Sequence, residues 1–206
     1  MSRTRRSAAV LPRAFIPSIV LTATIIGCEG SSSKTPPAVS QPAKEAPVTA
    51  KITLSSSALQ HNQPVPRKYS GDGEDKSPPL SWSVVPPGTK ELALIVDDPD
   101  APTPTPWVHW VLYRIPVDAR SLPEGIAPSL RVPQPAGLLQ GKNSWGKAGY
   151  GGPAPPKGHG RHRYFFKLYA LDSPVNLEPG ATKEALLNAT SGHVLAEGEL
   201  IGTYER

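Results

Sequence analysis

The chain has 206 residues, enough for one domain with a substantial core and short for two. Its net charge of +5 is concentrated at the start, where Arg3, Arg5, Arg6 and Arg13 supply four of the 22 basic residues and residues 1–27 hold no acid. The remainder is nearly neutral, without the clustered Lys and Arg that phosphate backbones demand, so nucleic acid is excluded as an expected partner.

Residues 1–27 have the layout of an export signal: an arginine-rich start, an apolar run over residues 14–27, and Ile25-Ile26-Gly27-Cys28 at its end. The run is shorter than the ~20 residues a membrane-crossing helix needs, and Pro17 interrupts it. The tetrapeptide resembles a bacterial lipobox, so residues 1–27 read as a lipoprotein signal peptide and Cys28 as the lipidated residue. Glu29, rather than an aspartate, follows it, which favours an exported lipoprotein of the outer membrane facing the periplasm. With Cys28, the single cysteine, assigned to lipid, no thiol remains for a disulfide or a metal. Residues 28–50 are poor in large apolar side chains and contain Pro36, Pro37, Pro42 and Pro47, the composition of a flexible tether. As a coil it would average about 25 Å, which holds a folded body near a membrane.

The body, residues 51–206, consists of short apolar runs broken by Pro and Gly, an all-β signature. Strands are predicted near residues 52–54, 80–83, 91–97, 107–115, 163–171 and 194–204. Those at 91–97 and 107–115 are apolar enough to be buried on both faces. Alternation along the second predicts His109, Val111, Tyr113 and Ile115 on one face. One helix is predicted over 183–190, with Thr182 as its N-cap and Gly192 as its stop. The arrangement reads as a β-sandwich of two antiparallel sheets with one or two short peripheral helices.

Two stretches carry the chemistry. Asp97-Asp98-Pro99-Asp100-Ala101-Pro102 ends a core strand, and its prolines stiffen the turn that presents Asp98. The run Gly149-Tyr150-Gly151-Gly152-Pro153-Ala154-Pro155-Pro156-Lys157-Gly158 precedes His162-Arg163-Tyr164, where His162 and Tyr164 share a strand face. Either stretch alone is explained by turn chemistry. Together with His109 they suggest an anion pocket, in which amides near Gly151 and Gly152 form a nest and both histidines and the Tyr164 hydroxyl donate.

These residues resemble the phosphatidylethanolamine-binding proteins, and their bacterial Raf-kinase-inhibitor-like branch in particular. The resemblance rests on Asp98-Pro99-Asp100-Ala101-Pro102, on Trp107 to Trp110 with His109, and on Gly151 to Gly158 with His162-Arg163-Tyr164. It implies a Greek-key sandwich with a shallow pocket for phosphate-like anions and phospholipid head groups. Asp98, His109, His162 and Tyr164 match the family's pocket residues, with Asp100, Trp107, Gly152 and Pro156 around them. The animal members close this pocket with a C-terminal helix that nothing after Tyr204 matches, so lid behaviour and kinase regulation do not carry over.

The expected function is thus a membrane-tethered binding protein whose ligand is a phospholipid head group or a small phosphorylated molecule, with no cofactor and no metal. Asp98 would either hold a histidine and raise its pKa, or accept from a ligand ammonium. Phosphate affinity would weaken as pH rises through the histidine range. The alternative is an interaction or regulatory protein, kinase- or protease-inhibitor-like, gated by the pocket ligand. A phosphoester hydrolase using His159, His162 and Asp98 on a metal is less favoured, because His159 reads as a solvated loop residue. No Gly-x-Ser-x-Gly nucleophile motif occurs, so no enzyme is expected.

Overall fold

The computed structural model describes residues 50–206. The export segment, Cys28 and all but the last residue of the tether lie outside the described residues. Ten strands follow in order: β1 (Ala50–Lys51), β2 (Leu54–Ser55), β3 (Gln63–Pro64), β4 (Leu80–Trp82), β5 (Glu91–Asp98), β6 (Trp107–Pro116), β7 (Ser121–Leu122), β8 (Leu139–Gln140), β9 (His162–Leu171) and β10 (Val194–Tyr204). A 3₁₀ turn, Arg67–Tyr69, precedes β4, and the helix α1 (Lys183–Thr190) separates β9 from β10.

The larger sheet runs β1-β10-β9-β5-β6-β8, with β3 also on β10, and the smaller runs β2-β4-β7. The long strands pair antiparallel, as expected. At the outer edge β1 and β3 lie parallel to β10, so the larger sheet is not wholly antiparallel. The predicted strand at 52–54 is divided between β1 and β2 around Ile52, which is buried while its N–H donates to the Glu197 carbonyl at 2.7 Å.

All eight residues of β5 are buried, because both faces of the larger sheet are covered. One face, with Leu92, Leu94, Trp110, Phe166 and Leu168, packs in a single cluster with Leu54, Leu80, Trp82 and Leu122 of the smaller sheet. The other carries Ala93, Ile95, Val111, Tyr113 and Leu171 against Val175 and against Leu186 of α1. The helix has the predicted bounds, and the Thr182 hydroxyl accepts from the Ala185 N–H at 3.2 Å.

Strict alternation fails twice along β6. Between Leu92 and Leu94 of β5 the partner strand steps from Ile115 to Leu112, and between Val96 and Asp97 it steps from Trp110 to Val108. Each step leaves an extra residue on β6, a β-bulge, and the first contains Arg114 at φ 57°. Ile115 therefore joins the inter-sheet cluster, away from Val111 and Tyr113. His109, at the second bulge, packs against Tyr164 of the inter-sheet side. The expected common face of His109, Val111, Tyr113 and Ile115 is thus broken into two.

Candidate functional site

The topology gathers the polar residues at one end of the larger sheet. Strand β5 ends at Asp98, and its antiparallel neighbours β6 and β9 begin there, with Trp107 opposite Asp98 and Phe165 opposite Asp97. A cavity of about 250 Å³ opens at this end, lined by Asp98, Trp107, His109, His162 and Tyr164, with Pro102, Trp145, Pro155 and Pro156 as apolar wall. Six of the nine binding residues read from sequence, Asp98, Trp107, His109, Pro156, His162 and Tyr164, line this one cavity; Gly151, Gly152 and Asp100 do not.

Asp98 is buried, and both its oxygens are engaged. Oδ2 accepts from Nδ1 of His162 at 2.7 Å and Oδ1 from the Asp100 N–H at 2.8 Å. A carboxylate only accepts, so the His162 proton sits on Nδ1. That geometry supports the histidine-holding role, since a ligand ammonium would have to compete for a carboxylate whose two oxygens already accept from His162 and the Asp100 N–H. It also corrects the donor assignment, since a neutral His162 so held presents a bare Nε2 and donates outward only when protonated.

His109 is fixed by a reciprocal pair. Its Nδ1–H donates to the Gly151 carbonyl at 2.6 Å, and the Gly151 N–H donates back to the His109 carbonyl at 2.9 Å. Burial holds this imidazole below the ordinary histidine pKa, against the opposing pull of the Gly151 carbonyl and of Asp98. It is therefore a neutral ring whose one proton is spent on Gly151, and not the phosphate donor the sequence suggested.

The expected amide nest is also absent. The Gly151 N–H is used on His109, and the Gly152 N–H donates to Asp75 Oδ1 at 2.6 Å. The glycines serve close packing instead. A Cβ on Gly151 would stand 2.6 Å from the Trp145 ring, and one on Gly152 2.5 Å from the Tyr69 carbonyl oxygen. Asp100 is likewise structural, gripping the guanidinium of Arg163 at 2.8 Å through each oxygen and accepting the Arg163 N–H at 2.9 Å.

Tyr164 is the exception to this saturation. Its hydroxyl is buried in the cavity wall and has no hydrogen-bond partner among the described residues. Burial, then the nearby Asp98, push its pKa far up, so it is a neutral O–H donor at any physiological pH.

Three contributors were not picked out as site residues. Trp145 stands edge-on to both Trp107 and His109, with ring centroids 5.4 and 5.2 Å away. Its sequence signal was only that of a wall tryptophan. His159, read as solvated, is exposed, but its Nδ1 lies 2.7 Å from Nε2 of His162. Arg206 reaches the carbonyls of Ala154 and Pro155 at 3.4 Å each and pairs with Asp72, bracing the loop behind the pocket wall. Beyond Trp145 lies a larger groove of about 610 Å³. Its polar groups are mostly committed internally, Asp75 to Gly152, Lys76 to Glu74 and Asn143 to its own turn, and Lys147 is exposed to solvent. The smaller cavity is therefore the better candidate.

A family model described as phosphatidylethanolamine-binding protein matches residues 55–205. A UPF0098 protein of Methanothermobacter thermautotrophicus is 50% identical over 155 residues, 75% of this chain and 99% of the relative. One from Aquifex aeolicus is 45% identical over 152 residues, 73% of this chain and 86% of its own. Among solved structures, the phosphatidylethanolamine-binding protein homologue CT736 of Chlamydia trachomatis is 41% identical with a TM-score of 0.68, covering 77% of this chain and 99% of that one. YbcL of E. coli, described as a member of the mammalian family, is 32% identical with a TM-score of 0.71, covering 76% and 99%. By the family match, by these relatives and by the fold, the chain belongs to the phosphatidylethanolamine-binding protein family.

Proposed function

We propose that the protein is a binding protein for a phosphate-bearing ligand, a phospholipid head group or its soluble fragment, held in the cavity at the end of β5. The observation that carries this reading is the Tyr164 hydroxyl: a buried donor without a protein partner costs about 1–3 kcal/mol, and a ligand acceptor would recover it. Beside it, His162 is oriented by its Nδ1 bond to Asp98 and would supply a charge-assisted donor when Nε2 also carries a proton. The neutral His109 and the tryptophans shape the cavity. A head-group ammonium would be met by the faces of Trp107 and Trp145 rather than by Asp98.

The test is calorimetric titration of inorganic phosphate and of phosphoethanolamine into the purified protein and its Tyr164→Phe variant. Saturable binding of both is expected, tighter for phosphoethanolamine and about five-fold weaker in the variant. Absence of binding, or identical affinity in Tyr164→Phe, overturns the reading.

We also propose that the chain is held at a bacterial envelope through lipid on Cys28, with the following residues as spacer. Support comes from Ile25-Ile26-Gly27-Cys28 behind an arginine-rich start. Expressed in a bacterium fed labelled palmitate, the wild type should carry the label in the membrane fraction and Cys28→Ser should lose it. Equal labelling of the two refutes the anchor.

A further inference from the structure

Both ring nitrogens of His162 are occupied within the protein itself. Asp98 holds Nδ1 and His159 holds Nε2, each at 2.7 Å. The protons follow from the partners. With Nδ1–H donated to a carboxylate, the neutral ring has a bare Nε2, which accepts the Nδ1–H of His159. An anionic phosphate oxygen is itself an acceptor. It can use His162 only when Nε2 carries a proton, and a protonated Nε2 cannot face the Nδ1–H of His159. Ligand and His159 therefore exclude one another at this atom.

The loop is placed to give way. Gly158 and Gly160, at φ 75° and 87°, flank His159, and neither has any atom within 4 Å of where a Cβ would stand, so no packing wedges the segment. The turn is held by two backbone bonds, from the His159 N–H to the Pro156 carbonyl at 3.1 Å and a longer one from the Gly158 N–H to the Arg206 carbonyl at 3.3 Å. Gly158 and His159 are exposed, whereas His162 is buried. The two histidines thus meet across the boundary between solvent and site.

We propose that His159 is a stopper: a solvent-side histidine that occupies the remaining nitrogen of His162, and that a phosphate-bearing ligand must displace to bind. The inference rests on reading the cavity as a phosphate site. It adds a competition internal to the chain, which sets a threshold on affinity and couples binding to movement of the loop around residues 157–160. The anion chemistry is shared by a lipid head group and a free phosphate ester, and a stopper on Nε2 of His162 would weaken both.

Two measurements test it. With nitrogen-labelled histidine, the free protein should show scalar coupling across the hydrogen bond between His159 Nδ1 and His162 Nε2, and saturating inorganic phosphate should abolish it. By calorimetry, His159→Ala should bind inorganic phosphate about five-fold more tightly than wild type, the exposed position leaving the fold intact. Weaker binding by His159→Ala would make His159 a ligand contact and overturn the stopper, as would equal affinity or a coupling that survives saturation. Absence of binding by both proteins removes the phosphate reading itself, and the stopper with it. Binding by both with equal affinity removes the stopper alone.

Discussion

Asp97 and Asp98 are adjacent and do unrelated work, because the strand pleat sends them to opposite faces. Asp98 reaches His162 in the pocket, while Asp97 points towards α1 and pairs with Lys183, with Lys167 3.7 Å away. The sequence showed an acidic turn at a strand end, and the side-chain period separates its members once the strand is placed. Asp98, His109, His162 and Tyr164 were legible as a set because each sits at the end of a strong strand. What each atom donates or accepts was not legible, since that depends on partners such as the Gly151 carbonyl and His159, which sequence spacing does not give. Tyr164 offers the sharpest residue-level expectation. Removing a buried hydroxyl with no partner should raise stability by roughly 1 kcal/mol, even as it weakens phosphate binding. Thermal unfolding of Tyr164→Phe without ligand should therefore show a higher midpoint than wild type. A lower midpoint would mean that the hydroxyl is satisfied in the free protein.

The elements that sequence located well are those with long periodic runs: β5, β6, β9, β10 and the capped helix. Two-residue strands such as β3, β7 and β8 carry no period, so nothing announces them in the sequence. The bulges of β6 are similarly silent, yet the second determines that His109 faces Tyr164 rather than Val111. Docking of α1 is a tertiary effect of the same kind. Lys183, in its first turn and mostly buried, pairs with Asp97, whose side chain is only 4% exposed. Replacing Lys183 by Met keeps the apolar stem but leaves a buried carboxylate to Lys167 alone, at 3.7 Å. Loss of one member of a buried pair costs about 3–5 kcal/mol, and the retained second lysine reduces this to roughly 2 kcal/mol. In urea unfolding, Lys183→Met should show a lower midpoint with an unchanged slope, and the double variant Asp97→Asn, Lys183→Met should recover part of the loss. If the single variant is neutral, the pair does not hold the helix.

At the scale of the molecule, two covered faces of one sheet leave its strand ends as the place where polar groups can meet, and the pocket lies there. Placing a histidine in that buried end has a consequence for the whole fold. In the unfolded chain an imidazole takes up a proton below a pH of about 6.5. His109 is held below that value by burial, so between the two values the unfolded state binds more protons than the folded one. Stability therefore rises with pH across this window and falls as the pH drops through 6.5 towards the lowered value. Asp72 and Asp100, kept low by Arg206 and Arg163, act in the same direction but only beneath the ordinary carboxylate range of about 4. The two windows are separable. Between pH 7 and pH 5 the thermal midpoint of the wild type should fall. In His109→Gln, which keeps a donor for the Gly151 carbonyl and cannot ionise, the midpoint should start lower and change less with pH. A variant that tracks the wild-type slope over that range would locate the proton uptake elsewhere than His109.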